Sequence, residues 1–510
     1  MSFEANYNTL TAGLRKTLSP VQVTNETVLR TDGMEIGKVL SINASPIIIN
    51  TITEKNSVRV TGVIEYSAIY EKVDGMKENV IQTTDFNTTL SADALTEQSS
   101  VCVNAMLVDV AVKEVNGERI IVNSLIEVNG YAVVNSEVKY LNAASGDVYY
   151  QTEQLTYSQL KTKINSNYLA TQEIDVSELP LRLLNLSAYP LINSVVTAQG
   201  YVTVAGLVSY SLCYEYANND STDIKEISNT FNFKYEIDCP DCTPTDIAFV
   251  TAKAVRDGVT AEIDSQEDAT TIKLNANFNL CGEVCSENQA DVIADIFSLS
   301  QKLQLTYSSF AYTKSLGSKS YNEKIFGVTE ISEESARIDK ILCVLDSNAV
   351  VTKAFCDEYN LNVEGIAYTT VIYLNAEEST ESKMQIEIPF ASSVPVDNMP
   401  HNCQVQVNSL LTDVIARIRR GRELEIDANL AVFANFYETK VGAVVSTVTA
   451  TEDRVCNRNA LSIYIAKDND TAWTIAKKMC INPAEVLDQN PKLAEGVNKG
   501  DKVIIYRKHN

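Results

Sequence analysis

The sequence predicts a mainly β protein: three tandem β-sandwich or barrel-like repeats followed by a small C-terminal β-α-α-β domain. Three observations carry this prediction. A 13-residue alternating segment occurs three times, its flanking blocks recur in the same order, and the last fifty residues differ from the rest in pattern and charge. The chain has 510 residues, 45% of them apolar and 21% charged, so it is long enough to bury several cores.

The recurring segment has the pattern of a long, half-buried strand. Residues 58–70, 202–214 and 361–373 read VRVTGVIEYSAIY, VTVAGLVSYSLCY and LNVEGIAYTTVIY. A period of two over this length is typical of a strand with one buried face. A glycine inside such a strand indicates a bulge or the close approach of another backbone, and a tyrosine indicates a core position or a shared binding surface. The aligned residues are Gly62, Gly206 and Gly365, and Tyr70, Tyr214 and Tyr373.

Further blocks extend each copy in both directions. An apolar block precedes the alternating segment, and a last strand follows a charged turn. These turns contain Asn116-Gly117, Asp257-Gly258 and Arg420-Gly421, and Asn-Gly and Asp-Gly are strong hairpin signals. Each repeat should therefore have six or seven strands with a turn about every ten residues, the spacing of a sandwich or barrel.

The positions of these blocks predict the domain boundaries. We expect an N-terminal extension over 1–19, repeats over 20–135, 166–285 and 320–440, linkers over 136–165, 286–319 and 441–460, and a last domain over 461–510. Within the linkers, residues 290–304 have helical spacing, and residues 149–168 are predicted to form a helix or an extended arm.

The last fifty residues have a different pattern. Alternating strands at 461–467 and 502–507 enclose two short helical segments, 470–481 and 481–493. Asp470 and Thr471 are natural N-caps of the first helix. This segment has eight basic and six acidic residues, whereas the other 460 residues have 34 basic and 60 acidic. The net charge of −24 therefore resides in the repeats, and the last domain is expected to be separable from them.

This last domain resembles the LysM family. The start of the family's first helix is matched by residues 470–476, the end of its second helix by residues 490–493 and its last strand by residues 500–505. Asn469 replaces the family's glycine before Asp-Thr, and asparagine tolerates the left-handed turn expected there. The resemblance implies a partner- or glycan-binding groove between this loop and the loop after the second helix. The expected groove residues are Asp470, Thr471, Trp473, Ile475, Lys477, Asn490 and Pro491.

The triplicated unit resembles the sporulation-associated SPOCS family (DUF3794), on the pattern of strand blocks around the Gly/Tyr strand. Three such units followed by one LysM domain are similar to the SipL-type spore morphogenesis proteins. The resemblance implies a non-enzymatic scaffold in the mother-cell cytoplasm, at the forespore surface and in the spore coat. Its LysM domain would bind the coat-basement ATPase (stage IV sporulation protein A), and the protein would contact other coat proteins.

Composition argues against several other functions. The chain has two histidines, His401 in a Pro-rich loop and His509 near the C-terminus, so a histidine-based catalytic arrangement is not expected. Strong acidity argues against nucleic acid as a partner. There is no uninterrupted apolar run of about 18 residues and no apolar signal core at the start, so neither a membrane span nor export is expected. No cofactor is expected.

Several alternatives remain open from the sequence. The LysM-like domain would instead bind peptidoglycan or N-acetylglucosamine chains, or the repeats would assemble into a filament or lattice through exposed strand edges. An enzyme acting on wall polymer is the weakest alternative. The basic run Arg417, Arg419, Arg420 and Arg422 is a solvated hairpin turn or a docking site for an acidic surface. Four cysteines, Cys239, Cys242, Cys281 and Cys285, are ordinary reduced or crosslinkable thiols, a zinc site or a redox motif.

Overall fold

The computed structural model describes residues 3–31, 33, 35–218, 221–266, 269–331, 336–377, 380–456 and 460–507. Strands make up 79% of the described residues and helices 4%. The strands form separate antiparallel sheets in repeated units, and a small β-α-α-β unit follows them. The predicted fold class is therefore confirmed.

Each repeat contains two antiparallel sheets whose inner faces share a hydrophobic core. The first repeat contains β1 (Glu4–Thr17), β2 (Val21–Arg30), β3 (Ile36–Glu54), β4 (Ser57–Lys72), β5 (Lys77–Ser91), β6 (Ser100–Asn116) and β7 (Arg119–Ser145). The second contains β8 (Val148–Val176), β9 (Pro180–Ala198), β10 (Tyr201–Asn218), β11 (Ser221–Asp238), β12 (Ile247–Gln266) and β13 (Ala269–Ser298). The third contains β14 (Gln301–Glu330), β15 (Ile338–Cys356), β16 (Asn360–Asn375), β17 (Glu381–Pro395), β18 (Gln404–Arg419) and β19 (Glu423–Asp453).

The three repeats have the same strand order. In repeats two and three, one sheet is a three-stranded meander and the other pairs the first strand with the last hairpin. The first repeat differs because its first strand is divided into β1 and β2, which both pair with β7. Pro20 lies at this break, and proline has no N–H to contribute to a continuous ladder.

Close packing at the aligned glycines explains why they recur. Each glycine lies on the middle strand of a meander, directly opposite a phenylalanine of the next strand. A Cβ at Gly62 would lie 2.4 Å from the Ile47 carbonyl oxygen and 2.6 Å from the Phe86 ring. The prediction that the three glycines occupy equivalent strands is therefore confirmed. The corresponding carbonyl and ring distances are 2.2 and 2.8 Å at Gly206 and 2.4 and 2.4 Å at Gly365.

The aligned tyrosines are core residues, as the first interpretation of them predicts. Tyr70, Tyr214 and Tyr373 are all buried. The Tyr70 hydroxyl donates a hydrogen bond to Glu78 at 3.2 Å, and the Tyr214 hydroxyl donates one to Glu178 at 3.4 Å.

The segments expected to be linkers are strands instead. The first and last strands of each repeat continue past the sandwich as two-stranded arms: β1 with the end of β7, β8 with the end of β13, and β14 with the end of β19. The expected extension over 1–19 also belongs to this system through β1, although residues 1–2 lie outside the described part of the chain, as do residues 457–459 of the third linker.

The prediction of a helix over 290–304 is also wrong, because these residues belong to the arms. These residues form the end of β13 and the start of β14, and residues 149–168 are extended within β8. A register shift between Ile293 and Asp295 places Ile293 and Ile296 in one buried cluster. Such a bulge imitates helical spacing in the sequence, and packing against the other arms then favours the strand.

The three repeats surround a common axis with approximate threefold equivalence. The aligned residues Leu40, Leu184 and Leu342 meet in one apolar cluster, together with Ile69, Cys213 and Ile372 from the middle strands. A second cluster joins the three arms through Leu10, Val138, Val292, Phe310 and Val444. Because both clusters draw on every repeat, the repeats form one packed body and not three domains on linkers.

A buried ion pair connects the repeats where the arms begin. Arg15 Nη1 of β1 lies 3.2 Å from Glu283 Oε1 of β13, and the Tyr131 hydroxyl donates to the other oxygen of Glu283 at 3.0 Å. The Arg15 guanidinium lies 3.3 Å from the centre of the Tyr131 ring and also donates to Gln406 of β18. The first repeat thus supplies Arg15 and Tyr131, the second Glu283 and the third Gln406. These contacts satisfy most of the buried polar atoms of the ion pair.

Edge strands from all three repeats line a central chamber of about 1780 Å³. Its walls come mainly from β3, β6, β9, β12, β15 and β18. Its lining is mixed, with lysines, carboxylates and amides beside aliphatic side chains. We call this space the chamber below.

Two of the three charged turns lie where the sequence predicts a hairpin. Gly117 has a φ of 58°, and Arg420 and Gly421 have φ values of 51° and 71°, which suit tight hairpin turns. Asp257-Gly258 is different, because it lies inside β12 at a register shift between Ala254 and Val259. A bulge of this kind uses the same residue types as a turn.

The basic run fits the solvated-turn interpretation. Arg417 pairs with Asp427 and Glu425, and Arg419 and Arg420 pair with Glu423, all across the same hairpin. Their side chains are more than half exposed, so these pairs contribute little to stability.

Candidate binding surface of the C-terminal domain

The last domain consists of β20 (Leu461–Ile465), α1 (Ala472–Met479), α2 (Pro483–Gln489), a 3-10 turn (Pro491–Glu495) and β21 (Lys502–Tyr506). The two strands pair antiparallel, from Leu461 opposite Tyr506 to Ile465 opposite Lys502. Both helices pack on one face of this hairpin, with Ile475, Val486, Val503 and Ile505 in their shared core.

Asp470 stabilises the loop before α1. Its carboxylate accepts hydrogen bonds from the Tyr464 hydroxyl and the Lys467 amide, both at 2.8 Å, and pairs with Lys478 at 2.5 Å. The hydrogen bond from Lys478 holds the pKa of Asp470 well below its usual value. Asn469 has a φ of 64°, the left-handed conformation expected where the family has glycine.

Thr471 caps α1, as its position predicts. Its hydroxyl accepts from the Thr474 amide at 3.2 Å, and the Thr474 hydroxyl accepts from the Thr471 amide at 2.8 Å. This reciprocal capping box satisfies two backbone donors at the start of the helix. Ile475 is fully buried beneath it, so its role is to form the core.

Trp473 and Lys477 do not face an open groove. The Trp473 indole N–H donates to Asp295 Oδ2 at 2.7 Å, and Lys477 Nζ lies 2.6 Å from the other oxygen of Asp295. The Trp473 ring also meets the edge of the Phe297 ring at 5.0 Å between centroids. Asp295 and Phe297 belong to β13 of the second repeat, so this face of α1 holds the domain against an arm.

Asn490 fixes the end of the second helix to the sheet. The Asn490 side chain donates to the Ile504 carbonyl at 2.7 Å and accepts from the Ile504 amide at 2.9 Å. Pro491 begins the 3-10 turn and is exposed. Of the seven predicted groove residues, Thr471 and Pro491 are therefore the ones on the exposed surface.

The outer face of the hairpin β20–β21 is apolar and exposed. Ile463 and Ile465 are each 60% exposed, and Tyr506 on the partner strand is 59% exposed. We call this surface the hairpin face, and its residues are Leu461, Ile463, Ile465, Ile504 and Tyr506. Sequence reasoning missed it, although both strands are apolar at successive positions and their domain is too small to cover two sheet faces.

The four cysteines that suggested a zinc or redox site are not gathered in one place. Cys239 and Cys242 are buried and joined by a disulfide, so this pair is crosslinked and the interpretation of reduced thiols is wrong for it. Cys281 lies against Cys102 of the first repeat, and burial raises the pKa of Cys285 to about 12. Among the described residues, no group of three or more His, Cys, Asp or Glu is placed to hold a metal ion.

Other candidate groups are scattered. His401 lies in the turn before β18, and His509 is outside the described residues. At the chamber wall, Asp346 accepts a hydrogen bond from Ser41 at 2.6 Å, and burial raises the pKa of Asp346 to about 6. Within the described part of the chain, no helix is long and apolar enough to cross a membrane.

The chain was compared with protein families, curated proteins and solved structures. No protein-family model, no curated protein and no solved structure matches the chain.

Proposed function

We propose that the protein is a non-enzymatic scaffold and adaptor in bacterial endospore coat assembly. In this role the repeats gather coat proteins at the forespore surface, on the mother-cell side. The C-terminal domain binds the coat-basement ATPase, stage IV sporulation protein A, and so tethers the coat. The resemblance of the sequence to SPOCS repeats and a LysM domain supports this proposal.

The hairpin face is the observation that carries the proposal. Five large apolar side chains are exposed together on a domain of about fifty residues. Exposed clusters of this kind mark protein interaction sites more often than chance exposure. Contacts through Asp295 hold the domain against β13 and leave this face open to a partner.

The same geometry favours a protein partner over a glycan. A sugar chain needs hydrogen-bonding groups for its many hydroxyls, and the four aliphatic side chains of the hairpin face offer none. The tryptophan expected in the groove is 9% exposed and contacts β13. Peptidoglycan binding is therefore the second candidate, and the test below distinguishes the two.

The test measures the affinity of the full chain for immobilised coat-basement ATPase. Replacing two anchors together, Ile463→Glu with Ile465→Glu, should weaken binding about thirtyfold or more, since a buried anchor contributes roughly 2 kcal/mol. Val441→Glu is the matched control, because Val441 is an aliphatic residue of β19 that is 74% exposed and lies outside the last domain. Unchanged affinity in the double variant would exclude the hairpin face. Binding of chitooligosaccharides by the wild-type chain would favour the cell-wall alternative.

A further inference from the structure

Two cysteines from different repeats meet at the wall of the chamber. Cys102 lies on β6 of the first repeat and Cys281 on β13 of the second, and their sulfurs are 3.6 Å apart. They are 179 residues apart in the sequence. The Thr251 hydroxyl lies 3.5 Å from each sulfur. Both cysteines and Thr251 belong to the lining of the chamber, where Cys281 is partly exposed and Cys102 is 6% exposed.

Lys253 makes this pair chemically unequal. It reaches across from β12 and donates to the Val103 carbonyl, and its ammonium interacts electrostatically with both sulfurs. The hydrogen bond with Cys281 and the nearby Lys253 ammonium lower the pKa of Cys102 well below its usual value. The pKa of Cys281 is raised by the same hydrogen bond and by burial. A thiolate beside a thiol is the arrangement of an attacking and a resolving cysteine.

We propose that Cys102 and Cys281 form a thiol–disulfide exchange site that takes a low-molecular-weight disulfide from the chamber and closes into a covalent staple between the first and second repeats. The chamber, at about 1780 Å³, exceeds the roughly 300–1,000 Å³ of sites for small molecules. Lys253 and the mixed polar lining suit an anionic disulfide such as glutathione disulfide.

The exchange balances in two steps. The Cys102 thiolate attacks one sulfur of the small disulfide, forming a mixed disulfide and expelling the first small thiolate. The Cys281 thiol gives its proton to that thiolate and then attacks the Cys102 sulfur, which expels the second small thiolate. Two electrons pass from the protein sulfurs to the small disulfide, which leaves as two thiols once solvent protonates the second.

A second cysteine pair provides an internal comparison. Cys213 and Cys343 come from repeats two and three and lie in the apolar cluster at the axis. Neither lines the chamber, and the pKa of Cys343 is raised by its interaction with the Cys213 thiol and by burial. This pair also brings two repeats together, but it lacks the lysine and lies outside the chamber lining.

The test incubates the full chain with glutathione disulfide at neutral pH, blocks remaining thiols with a maleimide and maps the peptides by mass spectrometry. A linked Cys102–Cys281 peptide should form at least about ten times faster than a linked Cys213–Cys343 peptide, because Cys102 and Cys281 line the chamber beside Lys253 and the other two cysteines do not. The stapled chain should melt at a higher temperature than the unstapled chain, and dithiothreitol should reverse the difference.

Two variants test the role of the lysine. Lys253→Gln should slow the linkage about tenfold, whereas Lys253→Arg should retain most of the rate because it keeps the charge. The comparison of the two cysteine pairs within the wild-type chain does not depend on either variant folding. Equal rates for the two pairs, no linked peptide, or a persistent glutathione adduct on Cys102 without linkage would each overturn the proposal.

Discussion

At the scale of single residues, the aligned glycines show how the lack of a side chain lets a neighbouring backbone and an aromatic ring pack closely against a strand. At Gly206 a Cβ would lie 2.2 Å from the Leu191 carbonyl oxygen, which belongs to backbone and cannot rotate away. The Phe233 ring covers the other side at 2.8 Å. The sequence pattern therefore predicted a close approach correctly, but it did not reveal that a phenylalanine causes half of it.

We expect Gly206→Ala to destabilise the fold by about 1–3 kcal/mol, the usual range for overpacking. Urea unfolding followed by circular dichroism measures this difference. Gly37→Ala is the control, because its Cβ would meet the nearest backbone oxygens at 3.3 Å and needs only a small adjustment. Equal destabilisation in the two variants would contradict the account of the packing.

Glu226 gives stability a dependence on pH. It lies at the contact between repeats two and three, where its carboxylate accepts from the Val344 amide. Burial raises its pKa from an ordinary 4.5 to about 7. The folded chain therefore binds this proton more tightly than the unfolded chain, so its contribution to stability is complete below about pH 4.5 and declines as the pH rises through about 7.

Replacing the Glu226 carboxylate with a neutral amide should remove the loss of stability that its ionisation causes at high pH. Glu226→Gln should be more stable than the wild type at pH 8, by up to about 3 kcal/mol, and the difference should vanish near pH 4. Thermal melts between pH 4 and pH 8 measure it. The exposed Glu236 on the same strand is the control, and Glu236→Gln should follow the wild-type curve. A constant difference between Glu226→Gln and the wild type at every pH would exclude the titration of this group.

At the scale of elements, the arms are the part that sequence reasoning misread. Each arm buries apolar residues against the other two arms, so the pattern of one segment alone does not resemble an amphipathic strand. The bulge after Ile293 then adds helical spacing to β13. Short-range periodicity predicted the middle strands, whose partners are near in sequence, and failed where the partners come from other repeats.

Docking of α1 on β13 was also outside the reach of the sequence. Trp473 was expected to line a groove, and the structure gives its indole N–H a carboxylate partner 178 residues away. The charge difference between the modules was the available signal, because Lys477 is basic and the arm supplies Asp295. The opposite charges of the last domain and the repeats favour docking of one on the other, whereas the sequence analysis took the difference as a sign that the domain is separable.

Asp295→Ala should loosen the last domain without unfolding the repeats. The variant loses a hydrogen bond and an ion pair to one carboxylate, which contribute about 1–3 kcal/mol to docking. Hydrogen exchange of α1 should become faster, while the melting temperature of the repeats stays unchanged. Asp291→Ala, an exposed position on the same strand, should alter neither. Unchanged exchange in the Asp295 variant would show that α1 is held by other contacts.

At the scale of the whole molecule, repetition was predictable and assembly was not. Blocks that recur in the same order predict three similar units. The aligned glycines and tyrosines predict which positions of the middle strands are equivalent. The common axis, the chamber and the ion pair of Arg15 with Glu283 depend on contacts between residues far apart in the chain. A pattern with a period of two carries no information about such contacts.

The proposed function assigns binding of the ATPase to the last domain and the gathering of coat proteins to the repeats. The repeats form one packed body, and the exposed hairpin face belongs to the domain docked on it. A chain ending at residue 455 retains every strand of the three repeats. It uncovers Phe297 and its neighbours on β13, and a small loss of solubility is expected from that exposure.

The most direct test is the dissociation constant of the coat-basement ATPase for this shortened chain, measured beside that of the full chain. Circular dichroism melts establish that the repeats of both chains are folded. The account predicts that the shortened chain unfolds at a similar temperature and no longer binds the ATPase. Binding with the full affinity would contradict it, and recognition would then belong to the repeats.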